Sequence, residues 1–223
     1  MRFVFLLPLA ACLDSDSKTF IDKLEGVQQR MHGRYTGVQA IEQAFVTGNV
    51  RQVRFEAATI AALEEPDALP QWQPYFANVR GAARELSRAE DVISAAKLSA
   101  NLGRQCARCH QAIGAKVAFR GEPKPEPGGR LQRTMAAHQW GAMRMWEGLI
   151  APSDERWLSG ADALSRAPLS ITAESSVLGI ADDVSRVHLL AARAKKPLAQ
   201  DERAELFGQL LATCGHCHAA IRD

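Results

Sequence analysis

Apolar residues along the chain follow a helical rhythm. Val27, Met31, Arg34, Val38, Ile41 and Phe45 succeed one another at steps of three or four, and so do Leu131, Met135, His138, Ala142, Met145 and Leu149. Such steps bring side chains to one face of an α-helix, so each set predicts a helix with an inward stripe. The second set is the first displaced by 104 residues, and each carries one polar intruder, Arg34 or His138, at the same place. Pro66, Pro70 and Pro74 interrupt the first half, and Pro152, Pro168 and Pro197 the second; Pro123, Pro125 and Pro127 with Gly128 and Gly129 make a polar joint between them. The pattern predicts helices over 18–47, 50–64, 74–87 and 90–115, then over 130–150, 153–166, 173–195 and 200–221. Strand signals are nearly absent. Short connections between amphipathic helices favour antiparallel neighbours. The expected fold is all-α: two tandem four-helix bundles over 20–118 and 130–223, joined by a linker over 119–129.

Charge adds little to this picture. The 223 residues hold 27 Lys plus Arg against 25 Asp plus Glu, a formal charge of +2, which lacks the basic surplus that nucleic-acid binding draws on. The five cysteines add more. Four form two C-x-x-C pairs, and Cys12 stands alone after an apolar run ending Leu9-Ala10-Ala11. Residues 1–11 are too short to span a bilayer but read as an export signal. Small residues before a cysteine resemble the bacterial lipoprotein processing box, which would make Cys12 an acylated mature N-terminus, with 12–19 as a tether. A plain secretory signal cut nearby, or an unprocessed N-terminus, is the alternative. The chain is thus expected to be exported, to face the periplasm and to be held at a membrane through Cys12.

The two cysteine pairs end the two fourth helices as Cys106-Ala107-Arg108-Cys109-His110 and Cys214-Gly215-His216-Cys217-His218, displaced by 108 residues. C-x-x-C-H is the attachment sequence of c-type haem. Residues three and four apart share a helix face, so two thiols can bond the haem vinyl groups while the adjacent imidazole reaches the iron from the same side. A zinc knuckle would need four ligands, and pooling both motifs requires distant helix ends to converge. A redox C-x-x-C gives no reason for the following histidine. Two covalently attached haem c groups are therefore expected, on Cys106 and Cys109 and on Cys214 and Cys217, with His110 and His218 as proximal ligands.

A C-x-x-C-H near the end of a four-helix unit resembles the class II cytochromes c, the cytochrome c prime group, in both halves of the chain. The resemblance implies that the motif lies on the fourth helix and that the other face of the iron looks towards the first. The segments around Met31-His32 and Met135 to His138 are similar to a subgroup of tandem class II domains with histidine there. His138, on the apolar stripe, is the expected sixth ligand of the second haem. In the first half the matching position is Arg34; His32, half a turn away, is the expected ligand, with Met31 as the alternative and an open iron beside Arg34 as the third possibility. His188, His216 and the four tryptophans are expected to be satisfied, solvated or packing groups, and Arg104, Arg108, Arg120 and Arg130 solvated or paired with carboxylates.

Iron closed on both faces changes oxidation state without gaining an open position, so the expected function is electron transfer between redox proteins. The alternative is a gas-binding or sensing cytochrome with one five-coordinate haem. No acid/base pair suited to peroxide cleavage stands out, so a carrier rather than an enzyme is expected.

Overall fold

A computed structural model describes residues 15–119, 123–125, 131–167, 169 and 179–222; Cys12, Arg120 and Arg130 lie outside the described residues. Among these there are eight α-helices and no strand: α1 Ser15–Val46, α2 Val50–Ala62, α3 Gln73–Leu86, α4 Val92–Ala112, α5 Leu131–Ile150, α6 Asp154–Arg166, α7 Ala181–Ala194 and α8 Gln200–Arg222. A short 3-10 turn, Pro70–Trp72, leads into α3. The two fours match in order, and α2 and α6 share a length of 13 residues and α3 and α7 one of 14.

The boundaries have local causes. Asn49 accepts from the Gln52 amide, Ser153 from the Arg156 amide, and Asp91 and Ser94 cap each other reciprocally, so α2, α6 and α4 begin on side-chain oxygens that satisfy otherwise orphaned amides. Two helices end alike. Gly48 adopts φ +62° and Gly114 φ +64°, and the bonds Asn49 N–Ala44 O and Ala115 N–His110 O close the 6→1 ring of a Schellman motif. The second of these stops α4 two residues past His110.

Successive helices pack against each other within each half, and the halves join chiefly through α4 and α8. These run antiparallel: a methyl at Gly208 would lie 3.2 Å from the Cβ of Ala100, Gly215 abuts Val92, and Arg104 and Arg108 face Asp201 at the far end. Ala100 and Gly208 are equivalent under the 108-residue displacement, so this contact lies on an approximate two-fold axis. A second pair of contacts agrees. The Tyr35 hydroxyl donates to Glu147 at 2.6 Å, and the Gln139 amide donates to Gln43; positions 35 and 139, and 43 and 147, are each 104 apart, so one cross-helix contact is made twice.

The axis has a consequence for the core. One apolar cluster runs through all eight helices, from Val38, Ile41 and Phe45 on α1 to Leu206, Phe207 and Leu210 on α8, with Trp146 stacked on Phe207 at 5.2 Å and 12°. A smaller cluster of Val27, Ala68 and Phe76, with Met31 and Trp72 against it, lies at one end of the first half.

Helices α5 and α6 approach each other closely at their glycines. A Cβ at Gly160 would collide with the Gly141 carbonyl and lie 2.7 Å from the backbone nitrogen of Met145. Gly160→Ala gains roughly 1 kcal/mol of helix propensity but must force two backbones apart, and overpacking of that kind costs about 1–3 kcal/mol. With backbone atoms as the obstacle the clash wins. Gly160→Ala should lower the urea midpoint, whereas Gly81→Ala, with open space around its Cβ, should not.

Candidate functional site

The two C-x-x-C-H motifs occupy equivalent places on α4 and α8, at opposite ends of the antiparallel pair. His110 and His218 each lie ten residues beyond the Ala100–Gly208 contact, which at 1.5 Å per residue separates them by about 30 Å along the helices.

All four thiols are free and none is fully exposed. Burial pushes Cys106 up to about 12 and Cys109 up to about 11, with the Arg34 guanidinium partly offsetting the shift. Burial also pushes Cys214 up to about 12, reinforced by Glu42, Cys217 and Asp183, and pushes Cys217 up, with Asp183 adding to it. A nucleophilic redox pair calls for the opposite, a thiol made more acidic by its surroundings. Among the described residues no three His, Cys, Asp or Glu side chains converge as a metal-ion cluster. The pairs are therefore arranged as neutral thiols in apolar surroundings.

His110 is held by its neighbour across the two halves. Its Nδ1 lies 2.7 Å from the Ile150 carbonyl, one of the last four of α5, which have no partner within their own helix. A carbonyl only accepts, so Nδ1 carries the proton and Nε2 keeps its lone pair, the tautomer a metal-ligating histidine needs. Burial lowers the pKa of His110, and the carbonyl only partly restores it. The imidazole is thus neutral, and it borders a cavity of about 420 Å³ with Lys116, Phe119, Pro152 and Arg156.

His138 is half-buried on α5. Its Nε2 donates to the Ala167 carbonyl at 2.5 Å, and burial, then the nearby His188 and His218, keep it neutral against that carbonyl. The structure therefore brings His138 and His218 into one neighbourhood. His188 belongs to it as well, its Nε2 accepting from the Leu169 amide at 3.2 Å, and His216 is exposed and bonded to Asp183 at 2.7 Å.

The first half differs. His32 is exposed on α1. Arg34 takes the inward place at 7% exposure because it has a counter-ion there: it pairs with Glu65, donates to the Leu63 carbonyl at 3.2 Å and lies 5.4 Å above the Phe76 ring. Burial lowers its pKa to about 10, and the sites of Cys106 and Cys109 lie within reach of its charge. Met31 is half-buried against the Val27, Ala68 and Phe76 cluster. Arg104 and Arg108 share Asp201.

Sequence reasoning passed over Glu65, Asp183, the Ile150 carbonyl and Glu42. Glu42 carried a readable signal: it falls on the α1 stripe, four residues after Val38 and three before Phe45. It is 2% exposed, and neither carboxyl oxygen has a hydrogen-bond partner. Burial pushes the carboxyl up to about 8 from an ordinary 4.5. An acid with a raised folded-state pKa costs nothing below about pH 4.5, where both states hold the proton. The penalty grows to about pH 8, where the folded state also ionises, and is constant above. Glu42→Gln should accordingly raise the urea midpoint at pH 8 and leave it nearly unchanged at pH 4.5.

No family model matches the chain, and no curated protein or solved structure matches it either.

Proposed function

We propose that the chain is a di-haem c-type cytochrome that transfers electrons between redox proteins, each four-helix half carrying one haem on its last helix. The observation that supports this most is His110: its Nδ1–H is spent on the Ile150 carbonyl, which leaves Nε2 its lone pair on a residue that borders a cavity and directly follows Cys109. Cys106 and Cys109, and Cys214 and Cys217, would bear the covalent links, and His110 and His218 would ligate the irons. His138, in the neighbourhood of His218, would serve the other face of the second iron through a ring nitrogen freed from the Ala167 carbonyl. A haem so held supplies a one-electron couple; the chain fixes its orientation, keeps its surroundings apolar and sets the local charge. With the motifs about 30 Å apart along α4 and α8, each centre would meet partners on its own face of the molecule. No described helix is long and apolar enough to cross a membrane. Cys12, through its acyl chain, would hold the exported protein at the periplasmic surface.

A second reading has its own support. Arg34, not a histidine, stands where the repeat places His138, and His32 is exposed, so the first iron would lack a ligand from the inward stripe of α1. That centre would then accept a small gas molecule.

Matured in cells that attach haem c, the full chain should carry two haems by intact mass, and Cys106→Ala with Cys109→Ala should leave one. A chain that takes up none ends both readings. Carbon monoxide added to the reduced protein separates them: an optical change lost in that double variant favours gas binding, and an unchanged low-spin spectrum favours the pure carrier.

The two sites differ in charge. Arg34 opposes positive charge at the first, whereas Asp183 favours it at the second. Ferric iron is the more positive state, so the haem at Cys106 and Cys109 should show the higher midpoint potential, assigned in a redox titration with the double variant.

A further inference from the structure

Glu42 has no role in the reading above, and its surroundings are unusual. It lies on the first helix of one half, yet its charge would reach Cys214 of the other half, because the two-fold arrangement lays α1 along α8: Phe45 lies against Gly215 and Gly48 against Ala219. Both carboxyl oxygens are shut from solvent without a donor, although buried carboxyls are ordinarily paired or hydrogen-bonded. The fold does not need an acid there. The equivalent position in the second half is Trp146, a fully buried indole packed on Gly103, one turn before Cys106. One internal niche, built twice, thus holds an indole beside the first motif and an orphaned carboxyl beside the second.

The groups around it offer no fixed counter-charge. On α2, Arg51 and Arg54 are exposed and Glu56 is tied to Gln52; on α4, Lys97 is exposed and Arg104 pairs with Asp201. On α5, Arg144 is committed to Glu147, which also holds Arg156 and Tyr35, and on α7 Asp183 is bonded to His216. On α1 itself the neighbouring Gln43 bonds Gln139. On α8, Arg203 is paired with Asp154 and Glu205 is exposed, which leaves Cys214, the attachment point of the second haem on the proposed reading, within reach of the Glu42 charge.

We propose that Glu42 takes up a proton when the second haem takes up an electron, so that this centre couples electron transfer to proton transfer. The proposal rests on the haem reading. The balance is simple: a one-electron donor, a reduced redox protein or dithionite, converts ferric to ferrous iron, and the Glu42 carboxylate gains one proton from water. Oxidation returns both. Loss of one positive charge nearby makes the carboxylate less favourable in a niche without donors, and protonation removes its charge. The raised acidity range of this carboxyl places the exchange near neutral pH.

The test is a redox titration of the matured protein between pH 5 and 9. In the native chain the midpoint of the second haem should fall as pH rises, by up to about 59 mV for each tenfold change in proton concentration, the constant for a one-electron couple. Glu42→Gln should flatten that dependence and leave the first haem, at the other end of the α4–α8 pair, unaltered. An equal slope in both proteins overturns the proposal while the haem reading stands. Absence of haem on the Cys214–Cys217 peptide by mass overturns both. Should Glu42→Gln fail to mature, the native protein still decides: its reduced-minus-oxidised infrared spectrum should gain the C=O band of a protonated carboxyl, and no such band overturns the proposal.

Discussion

The close antiparallel contact of α4 with α8 is the constraint on which the rest of the structure depends. It is possible because Ala100 and Gly208 meet where larger side chains would hold the helices apart, and because Gly215 makes room for Val92. Once these helices pair about a two-fold axis, each first helix has the other half's motif helix as its neighbour. Trp146 of α5 covers Gly103 of α4, and the α5 terminus meets His110; α1 reciprocates along α8 with Glu42, Phe45 and Gly48. Each motif is therefore finished by residues from the opposite half. This accounts for one continuous core, and for why the orientation of His110 depends on a carbonyl 40 residues further along the chain.

Shared geometry throws the differences into relief. At the position the repeat makes common to Arg34 and His138, the first half has a cation that needs Glu65 and the second has a neutral imidazole near His218. At the position common to Glu42 and Trp146 the polarity is reversed. The first motif ends up facing a guanidinium and an indole, the second a carboxyl and imidazoles. Two centres built on one plan thus sit in unlike local fields, and for buried groups such fields are little weakened by salt.

Much of the fold could be read in the sequence because its causes are local. Stripe spacing, Asn49, Asp91 and Ser153 as caps, and glycines at helix ends act within a few residues, and the predicted helices begin and end within three residues of those described, save the seventh, whose expected start falls among residues outside the description. The motifs were legible for the same reason. The pairing of α4 with α8 was not, since small residues at 100, 208 and 215 have no periodic signature. Arg34 is a different case. A buried arginine looks implausible until its counter-ion is known, and Glu65 is 31 positions away in a segment without helical pattern. The expectation of His32 came from the resemblance and from its place half a turn off the stripe; the structure satisfies Arg34 inside and leaves His32 exposed.

Glu42 invites the opposite argument, since nothing satisfies it. An ionised carboxylate with no donor in an apolar niche would cost several kcal/mol, far more than a single helix-capping contact returns. The group escapes that cost by holding its proton, which makes its charge a variable and not a fixture. A fixed ion pair, such as Arg34 with Glu65, resists change because each partner stabilises the other. An unpaired carboxyl has no such anchor, so its protonation follows whatever charge lies closest. The direction of its response is set by geometry alone: it must gain a proton when its neighbourhood becomes more negative and release one when it becomes more positive. Trp146, in the matching niche, has no proton to exchange, so any such response belongs to one end of the molecule.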